Sequence, residues 1–249
     1  MEWIEAAWPA PPAVRALSTT RMGGVSSGVY AGLNLGDHVG DEPVSVARNR
    51  ALLRQRIDLP AEPHWLRQVH GCGVADAACD EQRCEADAVI ARGPGQVCAV
   101  LTADCLPLLL CDRRGSRVAA VHAGWRGLVE GVIESTVERL ALSPRDLLCW
   151  LGPAIGPDAF EVGGEVRERF MEWGGRDAAL AFRPMGDGKW LADLYLLASQ
   201  RLASAGVVSV HGGGLCTFAD RRRFFSYRRD GTTGRMASLI WIDAGSTVS

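Results

Sequence analysis

The sequence predicts a mixed α/β (α+β) fold with helices packed outside its sheets, and three observations carry that expectation. Strand-like apolar runs outnumber helical segments, they do not alternate strictly with them, and 47% of the 249 residues are hydrophobic, enough for a substantial core. A doubly wound parallel sheet needs regular strand–helix alternation, so mixed sheets fit better. No low-complexity linker or solenoid-length repeat interrupts the chain, and residues 1–249 read as one domain.

Residues 14–20 read as a strand, and the Gly-rich RMGGVSSGVY after it as a loop. Residues 43–57 have helical spacing, with Val44, Val46, Leu52, Leu53 and Ile57 able to share much of one face. Residues 65–70, 86–90, 97–103 and 106–111 are strand-like; DRRGS is a turn, and residues 117–122 form the next strand. Residues 127–140 read as a helix presenting Leu128, Val132, Val137 and Leu140 to the core, and residues 147–151 as a short buried strand ended by GPAIGP. Helices are expected over 166–173 and 194–205, and strands over 207–210 and 237–242.

Composition excludes several classes of function. A formal net charge of -2 gives no global field to attract nucleic acid or an anionic membrane. Arginines cluster at 221–223, 228, 229 and 235, which reads as a local anion site or a solvated face. The opening MEWIEAAWPAPPAV carries Glu2 and Glu5 where a signal peptide would carry Lys or Arg, and Pro9, Pro11 and Pro12 interrupt it. No apolar stretch approaches the roughly 18 residues of a membrane span. The expectation is a cytoplasmic protein, monomeric or weakly dimeric. Of the eight cysteines, Cys98, Cys111 and Cys149 lie in apolar runs and read as buried small hydrophobes. Cys72, Cys79 and Cys84 follow a C-x6-C-x4-C spacing that fits no common zinc pattern and read as incidental surface thiols.

Three motifs carry the chemistry: WLRQVHG around His70, TADCLP around Cys105 and AAVHAGWRG around His122. Each ends an apolar run with one metal-capable side chain. Two imidazoles and one thiolate make the ligand count of a catalytic zinc site, which leaves a fourth position for water or substrate. Small or φ-permissive neighbours such as Gly71 and Gly124 allow close backbone approach. Taken singly, each of the three is more often structural. Asp104, beside Cys105, is a candidate for orienting an imidazole, for acting as a base or for capping a turn, and Asp87 in EADAV for the same part. Arg21, Asn34 and Arg228 are the remaining substrate-binding candidates, because guanidinium groups suit phosphate or carboxylate and the loop after Arg21 offers backbone N–H groups.

These motifs resemble the YfiH/PgeF-type proteins, also labelled multicopper polyphenol oxidase (laccase) domain proteins. The matching pieces are STTRMGGVSSGVYAGLNLGDHVGD, WLRQVHG, ADAV, LTADCLPLLL, AAVHAGWRGL, LGPAIGP, FEVG, GLCTF and FFSYRRDGTTGRMASLIWI. They run in family order over nearly the whole chain. The resemblance implies a four-layer α/β/β/α sandwich similar to the CNF toxin catalytic fold. It also implies a zinc site carried by His70, Cys105 and His122. Family activity is described as phosphorolysis of purine nucleosides, including adenosine, inosine and methylthioadenosine, with adenosine deamination alongside. A peptidoglycan-editing role is attached to some members and phenol oxidation to others.

Five histidines in the whole chain are too few for the several copper centres that four-electron oxygen reduction needs. Copper would still outcompete zinc for such ligands in vitro. Three classes follow: a zinc-dependent purine nucleoside phosphorylase and deaminase, a Cys–His amidohydrolase of a peptidoglycan precursor with Cys105 as nucleophile and His122 as base, and a non-catalytic metal-binding domain.

Overall fold

The computed structural model describes residues 1–244; the end of the 1–249 span lies outside the described residues. Strands β1 (Trp3–Glu5), β2 (Val14–Thr19), β5 (Val97–Thr102) and β13 (Met236–Ile242) form a four-stranded antiparallel sheet in the order β1-β2-β13-β5. A six-stranded sheet runs β12 (Ser209–Gly212), β8 (Leu147–Leu151), β6 (Leu106–Asp112), β7 (Val118–Ala123), β4 (Ala88–Ala91) and β3 (Val74–Asp76). Its interior pairs are antiparallel and its two outermost pairs, β12 with β8 and β3 with β4, are parallel.

The central strands are apolar on both faces because both faces are covered. Along β5 and β13 the side chains alternate. Cys98, Val100, Ile240 and Ile242 pack between the sheets with Val89, Leu109, Cys111 and Ala120, while Val97, Ala99, Leu239 and Trp241 face outward onto Leu33, Leu35, Leu53 and Trp65. Leu53 comes from α1 (Pro43–Arg56). On the far face of the six-stranded sheet, Ile90, Leu108, Leu110, Val121 and Cys149 meet α3 (Val132–Leu140), α4 (Gly164–Ala179) and α5 (Leu194–Ser204). The layers therefore run α/β/β/α, the arrangement the family resemblance implies. None of the described helices is long and apolar enough to cross a membrane.

Four departures from the sequence reading have local causes. Residues 65–70 are not a strand: the chain makes only an isolated bridge, Arg67 with Glu85, and the Gln68 carboxamide takes the place of a backbone partner. Its Nε2 donates to Leu101 O at 2.9 Å, and its Oε1 accepts from Leu101 N at 2.7 Å. The helix expected over 127–140 is two helices, α2 (Trp125–Glu130) and α3, because Gly131 sits at φ 97° and closes α2 with its N–H on Gly127 O and Leu128 O. The helix expected over 166–173 extends to Ala179 across a kink at Gly175. A third sheet is formed by β10 (Phe182–Gly186), β11 (Lys189–Ala192) and β9 (Glu161–Gly163); β10 is mostly exposed and the other two are short, so they left little apolar alternation to read.

Leu109 is fully buried between the sheets. Leu109→Ala should lower unfolding stability by about 2–5 kcal/mol, seen as a lower urea midpoint at unchanged slope. A loss below about 1 kcal/mol would mean that the layer collapses around the missing side chain.

Candidate metal centre and its cavity

β7 delivers His122, and the β6–β7 register sets it opposite Pro107, two residues past Cys105. His122 is buried. Its Nδ1 meets Asp87 Oδ1 at 2.7 Å, and its backbone N–H donates to Asp87 O at 2.7 Å. Asp87 precedes β4 and has no exposed surface. The same carboxylate accepts the backbone N–H groups of Val69 (3.1 Å), His70 (3.0 Å) and Gly71 (2.8 Å). One side chain thus fixes the tautomer of His122 and shapes the turn that presents His70. His70 sits at φ 62°, a conformation non-glycine residues avoid, and the amide bonds to Asp87 hold it there.

Cys105 follows Asp104, which also has a left-handed backbone, at φ 95°. The Asp104 carboxylate accepts from Thr217 Oγ1 (2.6 Å), Ser226 Oγ (3.0 Å) and Arg228 N (2.6 Å). It ties the TADC turn to the start of α6 (Tyr227–Asp230), and the imidazole-orienting contact belongs to Asp87 instead. The donor atoms of His70, Cys105 and His122 all lie within 4.8 Å of one another, the one such three-donor group among the described residues. The two rings meet edge-on with centroids 4.8 Å apart. Gly124 makes room for this: a Cβ there would stand 2.9 Å from His70 Nδ1 and 3.1 Å from Cys105 Sγ.

Electrostatics match a cation site. Burial alone would lower the His122 pKa, but the Cys105 charge and the Asp87 hydrogen bond outweigh it and push it up to about 9. Burial, followed by the charge of His122, lowers His70. Burial would raise Asp87, yet its bonds to His122, Gly71 and Val69 bring it below the usual carboxylate range. Thiolate and neutral imidazole are the ligating forms, so a bound cation takes the place of the proton that this cluster otherwise holds. Two borderline nitrogens and one soft sulfur fit zinc or copper better than calcium or magnesium.

The cluster opens into a cavity of about 520 Å³. Phe160, Trp125 and Tyr227 give it aromatic faces, and Arg126, Arg228 and Arg235 supply guanidinium groups. Of the substrate-binding residues expected from sequence, only Arg228 lines it. Arg21 lines a separate hollow, its guanidinium 4.5 Å from the Phe225 ring centroid. Asn34 is fully buried, with both side-chain polar atoms engaged by protein partners. Neither residue lines the cavity that holds the three donors. Arg235 enters the sequence reading only within the arginine cluster, and Arg126, Trp125, Tyr227 and His38 not at all, although they lie in the motifs TTGRM, HAGWRG, SYRRD and DHVGD; spacing alone does not say which side of a loop faces the cavity. A larger hollow of about 810 Å³ runs along α1, but its Arg50 and Arg83 are turned to Asp37 and it lies away from the three donors.

The family described as multi-copper polyphenol oxidoreductase laccase matches residues 15–243. The chain belongs to this family. Similar relatives of the laccase-type family include a protein of Pseudomonas aeruginosa named purine nucleoside phosphorylase, 53% identical over 96% of this chain and 98% of its own. Purine nucleoside phosphorylase YfiH of Escherichia coli is 55% identical over 94% of this chain and 96% of its own. A crystal structure of a Neisseria meningitidis protein of family DUF152 superposes with a TM-score of 0.94 at 50% identity, covering 98% of this chain and all (100%) of that one. The likeness spans the strands, turns and cavity walls that carry the three donors.

Two substitutions probe how the cluster is built. Gly124→Ala should abolish tight metal binding while the fold persists, because the new Cβ occupies the space beside two donors. Asp87→Asn should weaken metal affinity roughly ten- to hundredfold through the loss of imidazole orientation. Chelator competition with elemental analysis reads both, beside a circular dichroism melt. Full metal affinity in Gly124→Ala would remove these three residues as the ligand set.

Proposed function

We propose that this chain is a zinc-dependent purine nucleoside phosphorylase acting on adenosine, inosine and methylthioadenosine, with adenosine deamination as an accompanying activity. The observation that carries the reading is the setting of the His70–Cys105–His122 cluster. It lies in one cavity with three aromatic faces and three guanidinium groups, in a chain whose relatives bear the phosphorylase name. About 520 Å³ is within the range of small-ligand sites.

Phosphorolysis forms a bond from a phosphate oxygen to ribose C1′ and breaks the bond from C1′ to the purine nitrogen; the electron pair leaves with the base, which takes up a proton. Zinc held by His70, Cys105 and His122 supplies Lewis acidity, the chemistry that also makes water nucleophilic near neutral pH. Asp87 keeps the Nδ1–H tautomer of His122 and so frees Nε2 to ligate. The arginines offset the charge of phosphate, and planar guanidinium groups present it with paired donors. Trp125, Phe160 and Tyr227 offer flat apolar surfaces on which a purine can stack. Asp104 is placed to hold the TADC turn and not to act as a base, because its oxygens already accept three donors.

The decisive assay is a nucleoside panel with and without phosphate, on chelator-treated and zinc-restored protein. Free base and ribose 1-phosphate should form only with phosphate and only after zinc is restored, and inosine should appear slowly from adenosine. Base release that ignores phosphate would make the protein a hydrolase.

A second reading has one observation in its favour: Asp87, His122 and Cys105 stand in the order of a Cys–His–Asp triad. It leaves His70 without a role. The two readings part on alkylation, since a metal-bound thiolate reacts sluggishly. Iodoacetamide should modify the exposed Cys72 and Cys79 first and spare Cys105 until a chelator is added. Rapid labelling of Cys105 in the zinc-loaded protein favours the hydrolase.

A further inference from the structure

The three arginines of the cavity are not equivalent. Arg126 and Arg228 are exposed, whereas Arg235 is half-buried. Its Nη1 donates to Thr233 O (3.0 Å) and Gly234 O (3.1 Å), and its Nε and Nη2 make no hydrogen bond among the described residues. It lines the cavity that holds the three donors, and burial lowers its pKa against the opposite charges of Cys105 and Asp104. Arg228 instead spends Nη1 on Glu161 O at 2.6 Å and lies over Phe160.

The position of Arg235 is set from behind by a buried polar network. Asn34 Oδ1 accepts the Arg235 N–H at 2.9 Å, and Leu35 N donates to Arg235 O at 3.1 Å, so the 34–35 backbone and side chain brace both sides of one residue. Asn34 Nδ2 donates to Asp41 Oδ2 (2.9 Å), which also accepts from Ser26 Oγ (2.6 Å), while Asn49 of α1 donates to Asn34 O (2.9 Å) and to Ser26 Oγ (2.9 Å). Gly36 completes the channel: a Cβ there would lie 2.8 Å from Arg235 Cγ.

We propose that Arg235 is the fixed phosphate-binding guanidinium of this site, and that Asn34, buried and turned away from the cavity, is the positioning residue that sets it. The assignment rests on the phosphorylase reading above. A half-buried guanidinium held along one edge by two carbonyls loses little freedom when phosphate binds its other edge, whereas the exposed Arg126 must be ordered first and the exposed Arg228 is turned to Glu161 O.

The test uses zinc-loaded protein and inorganic phosphate, read by calorimetric binding and by phosphorolysis kinetics. Arg235→Met and Asn34→Ala should each weaken phosphate binding and raise the phosphate KM roughly ten- to hundredfold. Zinc content and nucleoside KM should stay within about twofold, since neither contact involves the metal ligands. Gly36→Ala should act in the same direction by displacing the Arg235 stem, and serves if Asn34→Ala fails to fold. Asn34→Ala that melts earlier but binds phosphate as the wild type does would leave Asn34 merely structural and overturn its positioning role. Unchanged phosphate binding in Arg235→Met overturns the assignment of Arg235. If the wild type itself neither binds nor uses phosphate, the phosphorylase reading falls with it.

Discussion

The buried carboxylate of Asp87 is the constraint on which the rest of the site depends. It has no exposed surface and receives the imidazole of His122 and three backbone N–H groups of residues 69–71. A lone buried carboxylate is strongly unfavourable, and charge-assisted bonds are what make one tolerable. The energetic demand of that one charge therefore dictates the path of a loop that has no regular hydrogen-bonded structure of its own. The loop cannot move without stripping three backbone N–H partners from the charge, and the charge cannot be lost without freeing both imidazoles.

Around that anchor the architecture works by close approach. β6 and β7 are rigid central strands whose register carries Cys105 and His122 to one end of the sheet. His70 must then arrive from a loop, in a left-handed conformation, beside a residue that can have no Cβ. Gln68 bonds both backbone groups of Leu101 and ties this loop to the other sheet. The donor group thus draws on both sheets. The four layers matter to function because they hold two sheets in a fixed relation while loops from each converge.

The sandwich was legible where burial on both faces leaves continuous apolar strands, as in residues 97–102, 106–112 and 236–242, and Cys105 and His122 were legible beside or within such runs, whereas His70 ends a segment that forms no strand. What sequence concealed was the choice among equivalent candidates. Residues 65–70 have strand-like apolar content, yet a side-chain amide takes the place of strand pairing there. Asp104 adjoins a ligand in sequence but bonds elsewhere, whereas Asp87, 35 positions from His122, makes the contact. The exposed β10 has no alternation for a sequence reading to find.

The arginines show the same limit most clearly, because one residue type meets several fates. The Arg229 side chain is only 6% exposed and spends its donors on Thr217, Phe218 and Phe224 carbonyls and on Asp230, so it is a structural clip. Arg21 lies over Phe225 in a different hollow. Arg228 and Arg235 reach the cavity. Burial separates these roles: a guanidinium whose forks are filled by carbonyls has no donor left for a ligand, and one whose stem is packed but whose outer edge is bare is ready for one. Formal charge counted along the sequence treats all four alike. The difference lies in which carbonyls the fold brings to each, from Ala31 for Arg21 and Glu161 for Arg228 to Thr233 and Gly234 for Arg235.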